Sequence, residues 1–155
     1  MIEYILLFVC GMLYVNFLEW AIHKFILHEL GKRKNSIFSF HWVHHRLARK
    51  NDYLDLEYID PWWKRLSRAK EIMGLSAITL AHLPLALWSI PFYIGCVCQG
   101  LLYYILHSRS HLDKEWTKKW MPWHYEHHMG KNQNSNWCVT YPFWDHVFRT
   151  REYKK

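Results

Sequence analysis

Two long apolar runs break up a chain that is otherwise polar and aromatic. Residues 2–22, IEYILLFVCGMLYVNFLEWAI, carry only Glu3, Asn16 and Glu19 as strongly polar exceptions. At 1.5 Å of rise per residue such a helix spans about 31 Å, the thickness of a hydrocarbon core. No basic stretch precedes the run and no small-residue cleavage site follows it. It therefore reads as a retained transmembrane helix rather than a signal peptide, with a buried helix of a soluble protein as the alternative. Residues 72–106 contain no Lys, Arg, Asp or Glu but hold Pro84 and Pro91 near the middle. Proline interrupts helix hydrogen bonding, so the pattern predicts a helical hairpin with arms at 71–88 and 92–108. Each arm is near the minimum for a full crossing and either crosses or dips deeply.

The intervening segments are polar and aromatic. Residues 31–40 predict a loop leading into a helix that begins near Phe38. Pro61-Trp62-Trp63 reads as an interfacial stretch, and 130–137 as a polar loop. Gly130 is placed to end the preceding helix in the left-handed conformation. The fold class is all-α: an integral membrane protein with one N-terminal transmembrane helix, an apolar hairpin and a histidine-rich helical cap. All 155 residues are taken as one membrane-embedded domain.

Charge adds an orientation. All 20 Lys and Arg fall in 24–70 and 109–155. The positive-inside rule puts both regions, the cap and the C-terminus on the cytoplasmic side. The net charge of +7 suits anionic lipid headgroups better than nucleic acid, for which there is no motif. Ten Trp and ten Tyr fit a membrane interface. Cys10, Cys96, Cys98 and Cys138 form no CxxC pair and are expected as small core residues rather than a disulfide or zinc framework.

The histidines carry the chemistry. Ten of twelve fall into four groups: His23-x4-His28, His41-x2-His44-His45, His107-x3-His111 and His124-x2-His127-His128. Each group lies at the end of an apolar helix or on a basic segment, so all four can meet at one depth. On a helix i, i+3 and i+4 share a face, so each HxxHH presents three imidazoles together. The first pair fits less well, because i, i+5 on an ideal helix stand about 140° apart. They share a metal only if the helix end unwinds or the metal sits beside the axis. Ten imidazoles exceed the four ligands of a structural zinc and suit two metals with about five ligands each, which favours iron. HExxH is absent, so zincin-type proteolysis is unsupported.

Further residues are candidates for support. Glu19, one turn before His23, either accepts a hydrogen bond from it or pairs with Lys24. Asn136 and Asp145 are placed to hold ligand rings, and His146 either does so or is structural. His82, within the apolar run, is expected to bond backbone near Pro84, with a functional role left open. Tyr103, Tyr104, Trp120 and Trp123 lie near the histidine groups and either pack the core or line a substrate entrance.

The order HxxxxH, HxxHH, HxxxH, HxxHH resembles the fatty acid hydroxylase superfamily, which includes sterol desaturases and carotenoid hydroxylases. HHRLARKNDYLDLEY and NWCVTYPFWDHVFRT are similar to stretches of that superfamily. The resemblance implies a membrane mono-oxygenase with two non-haem iron ions held by the ten grouped histidines. It further implies O2 as co-substrate, a lipid substrate, and electrons from a separate b-type cytochrome or ferredoxin. A fatty acyl hydroxylase is the leading expectation, with carotenoid hydroxylation or sterol desaturation as the alternatives. A non-catalytic membrane metal- or haem-binding protein is the rival from another class.

Overall fold

A helix that is apolar on every side has nothing to gain from water and belongs in lipid. That describes α1 (Ile2–Ala21), in which only Gly11, Asn16 and Trp20 are buried while Ile2, Tyr4, Ile5 and Leu6 stand exposed. The computed structural model describes residues 1–153, and they are all-helical with no strand among them. Helix α1 continues without a break into a wider π-helical segment, Ile22–Leu30, so the first element is longer than the apolar run predicts. After a short 3-10 turn at Ile37–Ser39 comes α2 (Phe40–Lys50). Two further 3-10 turns lead to α3 (Leu66–Ala81).

The hairpin differs in detail from its expected arms. The first arm starts at Leu66, breaks at His82–Pro84, and resumes as the short α4 (Leu85–Trp88). The chain reverses at Ser89, whose side chain caps α5 (Ile90–Ser110) by accepting from the Phe92 amide at 3.3 Å. Pro91 therefore stands in the first turn of α5, where a missing N–H costs nothing. Three stretches, Ile2–Leu30, Leu66–Trp88 and Ile90–Ser110, are long and apolar enough to cross a membrane.

Small residues let α1 and α5 approach backbone to backbone. A Cβ on Gly11 would collide with the Phe92 carbonyl, and one on Gly95 with the Phe8 carbonyl. The contact is reciprocal, the arrangement that drives helix association where lipid removes the hydrophobic incentive. Gly95→Leu is expected to pry the two helices apart and destabilise the protein by about 3 kcal/mol. A drop in the thermal aggregation midpoint of the purified protein would register it, with Gly100→Leu, where a Cβ meets open space, as the control.

The cap is built from α2, α6 (Lys114–Trp120), α7 (Pro122–Met129), α8 (Phe143–Val147) and the loops joining them. Among the described residues, nineteen buried side chains are polar and nine apolar, and ten of the nineteen are histidine. This core is the reverse of a soluble one, so hydrophobic burial cannot be its main support. A small apolar cluster, Trp20, Trp137 and Cys138 with Phe17 and Trp144 packed on it, joins α1 to the end of the chain.

Two expectations are corrected here. Gly130 is extended (φ −64°, ψ 167°) rather than left-handed. Glycine is needed there because a Cβ would strike the Glu126 carbonyl. Cys10 is exposed on the lipid-facing side of α1, and Cys98 is half-buried, so only Cys96 and Cys138 are core residues.

Candidate metal centre

The π-helical segment resolves the awkward spacing of the first histidine pair. Bonding from i to i+5 widens the turn and stacks residues five apart, as such segments do at functional sites. The rings of His23 and His28 accordingly lie 5.0 Å apart, centroid to centroid, on one face.

All ten grouped histidines are buried and converge into two adjoining nests. In the first, His23, His28, His41, His45 and His127 each bring a nitrogen within 4.8 Å of all the others. In the second, His44, His107, His111 and His128 do the same, and His124 Nε2 lies 3.2 Å from His111 Nε2. The HxxHH motifs on α2 and α7 are each split between the nests. From α2, His41 and His45 join the first and His44 the second; from α7, His127 joins the first and His128 the second. The stacked rings of His45 and His128, 4.1 Å apart, form the wall where the nests meet.

The nitrogen geometry suits metals. In the first nest Nε2–Nε2 separations are 2.9 Å (His23–His41), 3.0 Å (His41–His45), and 3.2 Å for both His28–His45 and His45–His127. Bonds of roughly 2.1 Å at right angles about one ion put neighbouring nitrogens about 3.0 Å apart, whereas a tetrahedron puts them about 3.4 Å apart. His23 and His127 commit their Nδ1–H groups to the carbonyls of Trp137 (2.5 Å) and Ser135 (2.7 Å), which leaves Nε2 lone pairs facing inward. In the second nest His44 Nε2 and both nitrogens of His128 are buried without a hydrogen-bond partner. Buried polar atoms of that kind are uncommon, and an ion in the nest would satisfy His44 Nε2 and one nitrogen of His128. The residues present therefore fit metal ions, and five nitrogen donors around one nest suit a redox metal such as iron better than tetrahedral zinc.

Burial holds the His41, His45, His111, His124 and His128 rings well below the usual imidazole pKa, and neighbouring imidazoles push the same way. His127 is lowered to about 4, chiefly by burial, against the opposing pull of the Ser135 carbonyl. The rings are thus neutral near pH 7, the state in which imidazole binds metal.

Sequence reasoning missed most of the groups that orient these rings. His44 Nδ1 donates to Asp55 Oδ2 at 2.7 Å. Burial pushes the Asp55 carboxyl up, but the His44 bond and the Glu57 amide outweigh it and hold the acid below its ordinary pKa. His107 Nδ1 sits 2.6 Å from Glu71 Oε1 and 3.0 Å from the Tyr58 hydroxyl, which itself donates to Glu71 Oε2 at 2.7 Å. His111 Nδ1 donates to the Tyr53 carbonyl at 3.2 Å. That carbonyl is aimed by a left-handed turn at Asp52 and Tyr53 (φ 53° and 84°), unusual for an aromatic residue and held by Tyr53 stacking on His111. The Gln133 side-chain amide lies 2.9 Å from His45 Nδ1. Asp55→Asn is expected to lower metal affinity about 10–100-fold, the usual cost of losing a ligand's hydrogen-bond partner. Competitive chelator titration would measure it.

The supporting residues proposed from sequence act elsewhere. Glu19 does not bond His23; it accepts from the Val139 and Thr140 amides and from Thr140 Oγ1 at 2.9 Å. Asp145 accepts from the Trp137 and Cys138 amides at 2.9 and 2.8 Å. Together they pin the 137–140 segment, which presents the Trp137 carbonyl to His23. Asn136 is left-handed (φ 58°) and accepts from the Glu152 amide and Arg151. His146 is exposed beside Tyr153, because the α8 face that turns inward carries Asp145 instead. His82 Nδ1 donates to the Ile78 carbonyl at 2.7 Å, and its Nε2 lies 2.9 Å from the Tyr14 hydroxyl. Of the four aromatic residues considered for an entrance, Tyr103 lines the cavity described below and stacks on His107. Tyr104 bonds Arg68, Trp123 bonds the Val139 carbonyl, and Trp120 is exposed under Lys119.

Helices fit to span a membrane, carrying paired all-histidine nests at one end, define a class of membrane metalloproteins. The fatty acid hydroxylase family model matches residues 8–150, and the chain belongs to that family. No curated protein and no solved structure matches the chain. The family is one of oxidoreductases, hydroxylases and desaturases, which places this chain among enzymes.

Proposed function

We propose that this chain, acting as one membrane-embedded unit, is a lipid hydroxylase that uses two iron ions, O2 and electrons from a separate carrier. The observation that carries the reading is an apolar cavity of about 420 Å³ between α1, α3 and α5. Leu18, Ile22, Leu75 and Ile78 line its walls, and His23, His41, His44 and His107 close one end. Glu71 and His82 both line it, and the eleven residue steps from one to the other on one helical path correspond to about 16 Å of length. A slot of that shape takes an extended acyl or prenyl chain and holds one carbon against the nests.

When bound, the irons supply O2 activation for attack on an unreactive C–H bond. His23, His28, His41, His45 and His127 would hold one ion, and His44, His107, His111, His124 and His128 the other. The chain's own contribution is positional. Asp55, Glu71 and backbone carbonyls fix which nitrogen of each ring points inward. The apolar walls exclude water and align the substrate. The positive-inside rule places the nests and cap on the cytoplasmic side.

The test is expression in a host exposed to heavy-isotope O2, followed by untargeted lipid analysis. A lipid gaining one labelled oxygen, absent with the His127→Ala variant, supports the reading. An unchanged lipid profile together with purified protein free of iron would overturn it.

A further inference from the structure

A second cavity reaches the metal centre, and its charged lining is of one sign. It measures about 440 Å³ and opens on the cap. Its charged lining is Lys32, Arg46 and Arg49, all exposed, and none of the described residues lining it is acidic. Its floor is Trp42, Gln133 and His45. The apolar cavity is lined by His23, His41, His44 and His107, so each cavity touches histidines that the other does not.

The floor is joined to the first nest by direct contact. The Trp42 ring packs 4.7 Å from His28 and 5.5 Å from His45, and its Nε1 donates to the His28 carbonyl at 3.3 Å. The Gln133 amide meets His45 Nδ1 at 2.9 Å, one ring away from the inward-facing Nε2. Above the floor, Lys32 lies 4.9 Å over the Trp42 ring and bonds Asn134 at 3.0 Å, while Arg49 bonds the Gly130 carbonyl at 2.6 Å. Two of the three cations are thus held in place around the aromatic floor.

We propose that this groove is the docking site of an acidic one-electron carrier, which passes electrons to the metal pair through Trp42, Gln133 and His45. The inference rests on the hydroxylase reading and assigns that reading's electron donor to a surface. Hydroxylation needs an outside supply: the C–H bond and O2, with two electrons and two protons, become C–OH and water. Each encounter would oxidise one carrier by one electron and deliver that electron to iron held in the nests, so two encounters would supply one turnover. A water-soluble carrier cannot enter the apolar slot from the lipid, so its electrons need a polar approach to the same centre. Fixed cations of one sign around the approach raise the encounter rate of an acidic partner and fade with salt. Anionic headgroups would be drawn by the same charges, but a headgroup site has no need of an aromatic floor packed on ligand rings.

The experiment uses the iron-loaded, full-length protein in neutral lipid nanodiscs. Ferric iron is reduced in a stopped-flow instrument by reduced plant-type ferredoxin, an acidic carrier, and separately by a small neutral photoreductant. For Lys32→Glu/Arg46→Glu, the ratio of the carrier-driven to the photoreductant-driven rate is expected to fall at least about 10-fold, and the steep salt dependence of the parent to flatten. Lys118→Glu/Lys119→Glu, with the same change of net charge on α6, should keep the parent ratio. An unchanged ratio in Lys32→Glu/Arg46→Glu overturns the proposal. So does an equal fall in both double variants, which would mean net charge alone matters. Binding to anionic vesicles is measured in parallel; loss of vesicle binding with an unchanged ratio would make the groove a headgroup site. A parent protein that the photoreductant cannot reduce would sink the hydroxylase reading itself, and this inference with it.

Discussion

His45→Ala is expected, on the di-iron hydroxylase reading proposed above, to reduce turnover to background and to lower bound iron from two ions to one or fewer per chain. No other ring is so central. His45 Nε2 lies within 3.2 Å of the Nε2 atoms of His28, His41 and His127. Its ring also stacks on His128 of the second nest at 4.1 Å. Removing it deletes a donor from one nest and the wall of the other. Elemental analysis of purified protein, beside lipid product formation, would check both outcomes. Retention of both irons with only a partial loss of turnover would mean that the first nest is not a metal site. His146→Ala makes a fair comparison, since that ring is exposed and outside the cluster.

Stripping the metals is expected to unfold the cap while leaving the membrane helices standing. His44 Nε2 and both nitrogens of His128 are buried without a hydrogen-bond partner. An ion in the second nest would take His44 Nε2 and one nitrogen of His128, and each such atom left unpaired costs about 1–3 kcal/mol. In the first nest one nitrogen each of His23, His28, His41, His45 and His127 crowd within 4.8 Å of one another, and an ion would hold them together. Metal binding is then folding energy for the cap. Chelation should expose the Lys and Arg of 31–65 and 111–151 to trypsin and leave α1 and α5 protected. Acid should act in the same direction. His127 titrates near 4 in the fold against an ordinary 6.5. A lowered folded pKa means that the unfolded chain takes up protons first, so stability present above about 6.5 is lost as the pH falls toward 4. An apo protein as resistant to trypsin as the loaded one would contradict this account.

Much of the arrangement could be read from the chain because it is written in contiguous pattern. The apolar runs declare three helices, the prolines locate the reversal, and the histidine spacings mark ten rings. The rest is written in contacts between distant positions. Asp55 meets His44, Glu71 meets His107, and Gln133 meets His45 across separations of 11, 36 and 88 residues. Nothing in the type or local setting of those residues announces the pairing. The split of each HxxHH between two nests was equally out of reach, because periodicity says which residues share a face and not which neighbour each ring meets. Glu19 and Asp145 act on the histidines through the backbone of 137–140 rather than by touching a ring. The wide turn at Ile22–Leu30 was foreshadowed by a spacing that an ordinary helix could not satisfy.

That turn also has a mechanical consequence. From Ile2 to Leu30 the chain is one uninterrupted helix of 29 residues, with no hinge between its membrane-buried stem and the two rings it bears. Helices adjust to thinner or thicker bilayers by leaning. When this one leans, His23 and His28 swing with it, like a pointer fixed to its shaft. On the proposed reading, bilayer thickness would then reach the first nest through this shaft.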